Sequence, residues 1–323
     1  MSRLATGLAG LSAALLLAAP FATSPARAHG AVGNRFFVAS LLVEDPFVAD
    51  ELSIPTFSSL RQYGSADEAP SRESEISVEW AKTITPDFGI SFEQAYVIVN
   101  PRGERTQRGF DNLGVGFKYM LVKDAASEFV MSIGADFDVG GWGSKRIGAE
   151  SFWSATPTLY FGKGLGDVGI DFIRPLGITG SVGVNLPFRK RTATTSYNPD
   201  TMEYEQEVER HYATLEWGFT FQYSLPYLQA NVHDMGLGAP FDRLVPIVEM
   251  AFETPLGGPD RKTTGTVNPG LIWTGQQVQL GLEAQLPINR ASGKGVGVLM
   301  QLHLYLDDIF PDSLGKPIFG GGK

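Results

Sequence analysis

The chain has 323 residues, with 26 Lys and Arg against 35 Asp and Glu, and a formal net charge of −9. This acidic balance, without a basic stripe, argues against a nucleic-acid partner. The chain contains no cysteine, which excludes a disulfide framework and a cysteine-ligated metal. No motif predicts a catalytic, cofactor or metal site.

The first 28 residues are predicted to be a secretory signal peptide. A short basic start, Met1 to Arg3, precedes an apolar run over residues 8–21. Ala26 and Ala28 then supply the small side chains that signal peptidase requires before its cleavage site. We therefore expect the chain to be exported and to begin at His29.

Several later segments alternate between apolar and polar or small residues, which is the period of a β-strand. In the stretch from Val296 to Leu306, for example, every second residue is apolar. Each segment is roughly ten residues long, which is enough for a tilted strand to cross a bilayer. The clearest segments are 113–121, 129–139, 213–223, 278–286 and 296–306.

Weaker alternation adds further strands, and the connections between strands are alternately short and long. This pattern predicts an all-β fold, an antiparallel transmembrane β-barrel of about 12 strands, with about 10 or 14 as alternatives. The weaker segments are 52–62, 75–83, 88–97, 152–163, 176–186, 244–253 and 266–273.

The apolar faces of these strands are predicted to face lipid, as at Leu215, Phe219, Leu280 and Leu304. The opposite faces carry Gly, Asp, Glu and Gln, as a barrel lumen does, so a substitution at Gln279 is expected to be mild. An open lumen of this kind would be negative and would prefer cations. The predicted lumen-lining residues are Glu75, Glu79, Glu93, Lys118, Asp136, Asp138, Glu216, Glu249, Glu283, Gln301 and His303.

The strand pattern also divides the mature chain into three parts. Residues 52–306 are predicted to form the barrel, and residues 307–323 a C-terminal tail. Residues 29–51 are predicted to be a periplasmic N-terminal segment. Insertion of this segment into the lumen is the alternative, and the sequence does not decide between the two.

Four stretches resemble Gram-negative outer-membrane barrel proteins of the transporter and meta-pathway phenol-degradation type. They are DPFVADELSIPT at 45–56, GKGLGD with RPLGITG within 162–180, LVPIVEMAFETP at 244–255, and LHLYLDDIFPDSLGKPIF at 302–319. The resemblance implies an outer-membrane barrel with a role in uptake. The chain departs from the common barrel ending, a terminal aromatic residue, because residues 307–323 follow the last predicted strand.

We therefore expect a barrel in the outer membrane of a Gram-negative bacterium that allows passive passage of small solutes. Hydrophobic or aromatic compounds are one candidate class of solute, and no enzymatic activity is expected. A non-conducting structural or interaction barrel is one alternative. A soluble periplasmic β-protein that binds a ligand is another. The expected partners are small solutes and outer-membrane lipid. The sequence does not predict an oligomeric state.

Overall fold

The computed structural model describes residues 30–64, 69–198, 203–259 and 261–320. The predicted signal peptide lies outside the described residues. Within those ranges, no helix is long and apolar enough to cross a membrane. Helices are few and short, the longest being α1 (Leu225–Asn231), and a single turn, α2, follows at Leu306–Ile309.

Strands make up most of the described chain. Their bounds are β1 Ala31–Val32, β2 Arg35–Phe36, β3 Glu51–Arg61, β4 Ser71–Thr85, β5 Phe88–Pro101, β6 Gln107–Phe110, β7 Leu113–Asp124, β8 Phe129–Val139, β9 Ser154–Gly164, β10 Leu176–Pro187, β11 Arg191–Asn198, β12 Glu203–Arg210, β13 Thr214–Tyr223, β14 Leu244–Pro255, β15 Thr264–Thr274, β16 Val278–Pro287 and β17 Lys294–Tyr305.

Twelve strands form a closed antiparallel barrel, as the alternation predicted. Each strand pairs with the next long strand along the chain, and the last strand, β17, pairs with the first, β3. The barrel strands are β3, β4, β5, β7, β8, β9, β10, β13, β14, β15, β16 and β17. The remaining strands form the β1–β2 and β11–β12 hairpins and a short extension, β6, on β5.

The two ends of the barrel differ in their connections. At one end, called the turn end, short turns join β4 to β5, β7 to β8 and β15 to β16. Two longer links, 165–175 and 224–243, also lie there, and the second contains α1. At the other end, called the loop end, every link is longer than these short turns, and the link from β10 to β13 contains the β11–β12 hairpin.

The two faces of the barrel wall have opposite chemistry. On β16, Leu280 and Leu282 are 50% and 54% exposed, whereas the neighbouring Gln279 and Glu283 are 0% and 1% exposed. The same contrast recurs on the other strands, since the exposed large side chains include Ile76, Phe92, Phe117, Ile133, Leu159, Val182, Leu271 and Met300. A continuous apolar outer surface around a polar interior is the arrangement of a transmembrane barrel.

The lumen is occupied at the turn end by residues 30–50, called here the inner segment. Arg35, near its start, contacts the turn-end carbonyls of Arg174 and Pro175. Its middle contacts lumen-facing side chains, and Asp50, at its end, contacts Thr83 at the turn end of β4. The inner segment is therefore a loop that enters and leaves the lumen at the same end. Insertion into the lumen was the alternative to the predicted periplasmic position of this segment.

The C-terminal residues fold back onto the turn end of β4. The amides of Ile318 and Phe319 donate to the carbonyls of Thr83 and Ile84 at 3.3 and 2.8 Å. The Lys82 ammonium donates to two carbonyls of the same tail, at 3.1 Å for Leu314 and 2.8 Å for Lys316. The tail is thus attached to the barrel wall.

Candidate functional site

Two lumen-facing glutamines hold the backbone of the inner segment. The Gln222 side chain accepts from the Val38 amide and donates to the Val38 carbonyl, both at 3.0 Å. Gln279 does the same to Ala39, at 3.2 and 2.7 Å. Each side-chain amide thus pairs with the backbone of the inner segment as a neighbouring strand would. It satisfies two buried backbone groups, whose burial without a hydrogen-bond partner would cost free energy.

A buried carboxylate holds the tip of the inner segment. Glu249, which is 0% exposed, accepts hydrogen bonds from three consecutive amides, those of Leu41 at 2.6 Å, Leu42 at 2.9 Å and Val43 at 3.0 Å. Three amides converging on one carboxyl form a small anion-binding concavity. Hydrogen bonds to a charged group contribute about 1.5–3 kcal/mol each, more than neutral ones.

Glycines on the lumen face make room for this tip. A Cβ at Gly281 would lie 2.6 Å from Cδ1 of Leu41, and one at Gly218 would lie 2.7 Å from Cγ2 of Val43. Both separations are too short for packed carbon atoms. The glycine content of the polar strand faces therefore accommodates a second layer of chain inside the barrel.

Apolar packing adds to these polar contacts. Val38 and Leu41 of the inner segment pack in one buried cluster against side chains from β14, β15 and β17. Nearer the turn end, Phe37 and Phe47 pack in a second cluster. Burial of one such side chain contributes about 1.5–3 kcal/mol. The wall members of the first cluster are Val245, Ile247, Ile272 and Leu299. Part of the lumen wall beside the inner segment is therefore apolar.

Charged contacts fix both ends of the inner segment. The Arg35 guanidinium, 1% exposed, pairs with Glu128 at 3.2 Å and lies 3.8 Å from the ring centroid of Tyr227. At the other end, Asp50 accepts from the Lys82 ammonium at 2.6 Å and from the Thr83 amide at 3.0 Å. Removing one member of such a buried pair costs about 3–5 kcal/mol.

Lys118 joins the inner segment to the acidic wall. Its ammonium lies 2.6 Å from the Glu44 carboxylate and donates to the Asp45 carbonyl at 2.7 Å. The Tyr160 hydroxyl lies between Glu44, at 2.9 Å, and Asp136, at 3.0 Å. One cation therefore offsets several carboxylates, and the space around it has a negative potential.

Asp45 is a buried carboxyl of the inner segment whose pKa is raised. The pKa of Asp45 is raised to about 6, mainly by burial and next by the negative charge of Glu51, while the positive charge of Lys118 opposes both effects. The Asp45 carboxyl also accepts from the Phe47 amide at 2.9 Å, which favours the ionised form. When the inner segment lies in the lumen, which is called here its seated state, Asp45 therefore binds a proton more tightly than an exposed aspartate does.

Above the tip of the inner segment, the lumen contains open space. Cavities of about 710 and 700 Å³ lie towards the loop end, and one of about 420 Å³ lies between the inner segment and the wall. Leu42, Val43 and Glu44 of the tip contribute to the wall of the second cavity. The inner segment is thus the floor of an acidic chamber.

The structure places most of the predicted lumen-lining residues around these cavities. Glu216 lies beside the 700 Å³ cavity. Glu249 and Glu283 are buried away from open space, at 0% and 1% exposure. The predicted residues that line the 420 Å³ cavity, among others, are Glu75, Glu79, Glu93, Lys118, Asp136, Asp138, Gln301 and His303. The expected mildness of changes at Gln279 is wrong, because its amide is fully buried against Ala39.

His303 has partners that the sequence did not identify. Its Nδ1 lies 2.9 Å from the Ser53 hydroxyl, and its Nε2 lies 3.6 Å from the Glu51 carboxylate. These contacts cross the junction of β17 and β3, where the barrel closes. Ser53, which is 6% exposed, lines the 420 Å³ cavity together with His303 and Glu51, so this group lies in the cavity wall as well as at the junction. Among the described residues, no cluster of three or more His, Cys, Asp or Glu could hold a metal ion.

Comparison with known proteins finds matches among solved structures. An outer membrane channel from Pseudomonas putida F1 is 11% identical with a TM-score of 0.49, covering 80% of this chain and 95% of that one. The β domain of the Bordetella autotransporter BrkA is 12% identical with a TM-score of 0.46, covering 80% and 99%. A mutant of the monoaromatic hydrocarbon channel TodX is 7% identical with a TM-score of 0.40, covering 82% and 90%.

No family model and no curated protein matches the chain. The resemblance to meta-pathway phenol-degradation proteins therefore stays a prediction.

Proposed function

We propose that the chain is an outer-membrane barrel through which small solutes pass, and that the inner segment closes its lumen in the present structure. One observation carries this proposal. Acidic cavities lie directly above an inner segment that is held by side-chain contacts and packing, while both of its ends lie at the turn end. Withdrawal of the inner segment would join these cavities to the periplasmic side.

The outer surface supports placement in a membrane over the soluble alternative. Large side chains such as Phe117, Leu280 and Leu282 are 41%, 50% and 54% exposed around the barrel. A soluble protein rarely exposes a continuous apolar surface of this extent. Export by the predicted signal peptide and a barrel fold together indicate the outer membrane.

The cavity walls suggest which solutes pass. Carboxylates of Glu75, Glu93 and Asp138 line the 710 Å³ cavity, together with the rings of Phe152 and Tyr212. The negative charge favours cations and neutral solutes over anions. The two rings support the narrower proposal that the solutes include aromatic compounds.

A non-conducting structural barrel is the second candidate. It is favoured by the extent to which Val38 and Leu41 are buried inside the wall, at 0% and 7% exposure. In that case the inner segment is a permanent filling of the lumen, comparable to the core of a soluble domain.

Planar-bilayer conductance distinguishes the two candidates. The mature chain is compared with a variant that lacks residues 30–49, and with Glu249→Gln, which keeps the inner segment but weakens its attachment. Folding of each variant is checked by the shift in gel mobility on heating. We expect low conductance for the wild type and higher, cation-preferring conductance for both variants. Folded variants that conduct no better than the wild type would support the structural candidate.

A further inference from the structure

A row of basic side chains crosses three adjacent strands at the loop end. Lys294 on β17 lies opposite Arg61 on β3, and Arg61 lies opposite Arg72 on β4. All three residues are exposed. Like charges directly opposite each other on neighbouring strands are destabilising. A bound anion would offset that repulsion.

This row faces outward, away from the lumen. On β4, Glu75 lines the lumen cavity, whereas Ile76 is 42% exposed on the outer surface. Because successive side chains alternate between faces, Arg72 lies on the same face as Ile76, four residues away. At about 3.3 Å per residue, the separation is roughly 13 Å along the strand.

Along the outer surface, from the basic row towards the middle of the barrel, the side chains change from charged to hydroxyl-bearing and then to apolar. Directly below the row, the hydroxyls of Ser59 and Ser74 lie 2.9 Å apart, and Arg72 donates to Ser59 at 3.2 Å. The next outward-facing row is apolar and pairs Phe57 with Ile76. Two further apolar members of that row are exposed, Met300 at 42% and Phe110 at 57%. The basic row thus lies at the level of lipid headgroups.

The adjacent loop adds a fourth cation. The Arg290 guanidinium lies 4.5 Å from the ring centroid of Tyr63, and the Lys294 ammonium lies 5.2 Å from it. Counting only residues that the structure describes, none of Arg61, Arg72, Arg290 and Lys294 forms an ion pair with a carboxylate. Asp67 and Glu68 of the β3–β4 loop lie outside the described residues.

We propose that Arg61, Arg72, Arg290 and Lys294 form a docking site for the phosphates of a lipid A-type glycolipid. This inference rests on the proposed outer-membrane placement, with the loop end outward. Guanidinium groups bind phosphate through paired hydrogen bonds, and lysine binds it as a point charge. Acyl chains of the same lipid would lie on the apolar row below, which contains Ile76. Free phosphate would use the cations but not that row.

Binding of lipid A to the purified, folded barrel in detergent tests the site. The probes are bisphosphorylated lipid A and its dephosphorylated form, with inorganic phosphate as competitor. In the variant that combines Arg61→Gln, Arg72→Gln and Lys294→Gln, we expect affinity for the bisphosphorylated form to fall roughly 100-fold at low salt. Affinity for the dephosphorylated form should stay unchanged, and millimolar inorganic phosphate should not displace the lipid.

A matched control removes the same charge elsewhere at the loop end. It combines Arg189→Gln, Lys190→Gln and Arg191→Gln, all at exposed positions, and we expect less than a twofold effect. Arg72→Gln alone serves if the triple variant does not fold. Equal losses in both triple variants, or equal binding of the two lipid forms, would overturn the proposed site. Because conductance is not measured here, a barrel that conducts but does not bind lipid A would contradict this inference alone.

Discussion

The Oε1 atom of Glu249 lies 2.6 Å from the amide nitrogen of Leu41, at the tip of the inner segment. The two residues are 208 positions apart in the sequence. This contact, with the adjacent bonds to Leu42 and Val43, joins the barrel wall to the floor of the chamber. In the proposed channel, the strength of this attachment decides how readily the chamber opens.

Replacing Glu249 by Gln should loosen the tip. The amide nitrogen of Gln would oppose the donor groups of residues 41–43, and the charge that strengthens these bonds would be lost, at a cost of about 2–4 kcal/mol. Since the chain has no cysteine, Val38→Cys, at a fully buried position, reports withdrawal by its rate of maleimide labelling. We expect faster labelling in the Glu249→Gln background. Glu216→Gln, which removes the same charge without contacting the inner segment, should leave the rate unchanged.

Arg35 should anchor the inner segment at the turn end, as Glu249 anchors its tip. Arg35→Gln leaves Glu128 buried without its guanidinium partner, which costs about 3–5 kcal/mol. Hydrogen exchange followed by mass spectrometry should then show faster exchange of the amides of residues 36–43. Lys163→Gln is the matched control, because its ion pair with Asp167 is partly exposed and contributes at most about 1 kcal/mol. Equal protection in the Arg35 variant and the wild type would contradict the anchoring role.

Seating of the inner segment should weaken as pH rises. The pKa of Asp45 is about 6 in the seated state, above the value near 3.9 of an exposed aspartate. The seated state therefore binds more protons between these values, and its stability falls as pH increases through them. Labelling of Val38→Cys, corrected for the pH dependence of thiol reactivity with an exposed Ser151→Cys reference, should be faster at pH 7 than at pH 5. Asp45→Asn should remove most of this difference.

Ion selectivity should depend on the carboxylates that face open space. Glu93 and Glu216 line the cavities. In a barrel without residues 30–49, Glu93→Gln with Glu216→Gln should shift the reversal potential towards zero under a salt gradient, most clearly at low salt. Asp171→Asn, which removes a charge from an exposed side chain of the turn-end link 165–175, should have a much smaller effect. A preference for anions before any substitution would refute the charge argument.

Because the apolar faces of the strands point outward, a charged side chain should destabilise the barrel more on the outer surface than in the lumen. Leu282 is 54% exposed on the outer surface, and Thr214 lines the 710 Å³ cavity. Arg at Leu282 should lower the free energy of unfolding in lipid by about 2–4 kcal/mol if it lies near the midplane. Arg at Thr214 should cost much less. Reversible denaturant unfolding in phospholipid vesicles provides the measurement.

The barrel itself could be predicted because its signal is local. Strand alternation, as in the stretch around Met300, repeats every two residues, and the face assignment follows from it directly. Even the irregular segment around Ile54 and Pro55 was identifiable as a strand, because closure of an even-numbered barrel required one more element.

The contacts of the inner segment could not be predicted in the same way. Gln222 and Val38 are 184 positions apart, and nothing in either neighbourhood specifies the other. Wall residues such as Ile272 lie where a polar lumen was expected, and their apolar character makes sense only with Leu41 beside them. The glycines on the lumen face, Gly218 and Gly281, were visible in the sequence, but they equally fit an open lumen.

Entry and exit of the inner segment at one end have a topological consequence. Gly33 lies beside the Ala125 carbonyl and Asp50 beside Thr83, so both ends of the excursion are at the same rim. Residues 30–50 are folded back inside the pore as a re-entrant finger, with both ends of this segment on the same side of the barrel. Retraction can therefore occur while the β3–β17 junction stays paired, and the same finger can return. In the proposed channel, reversible gating would therefore need no threading, no cleavage and no opening of the wall.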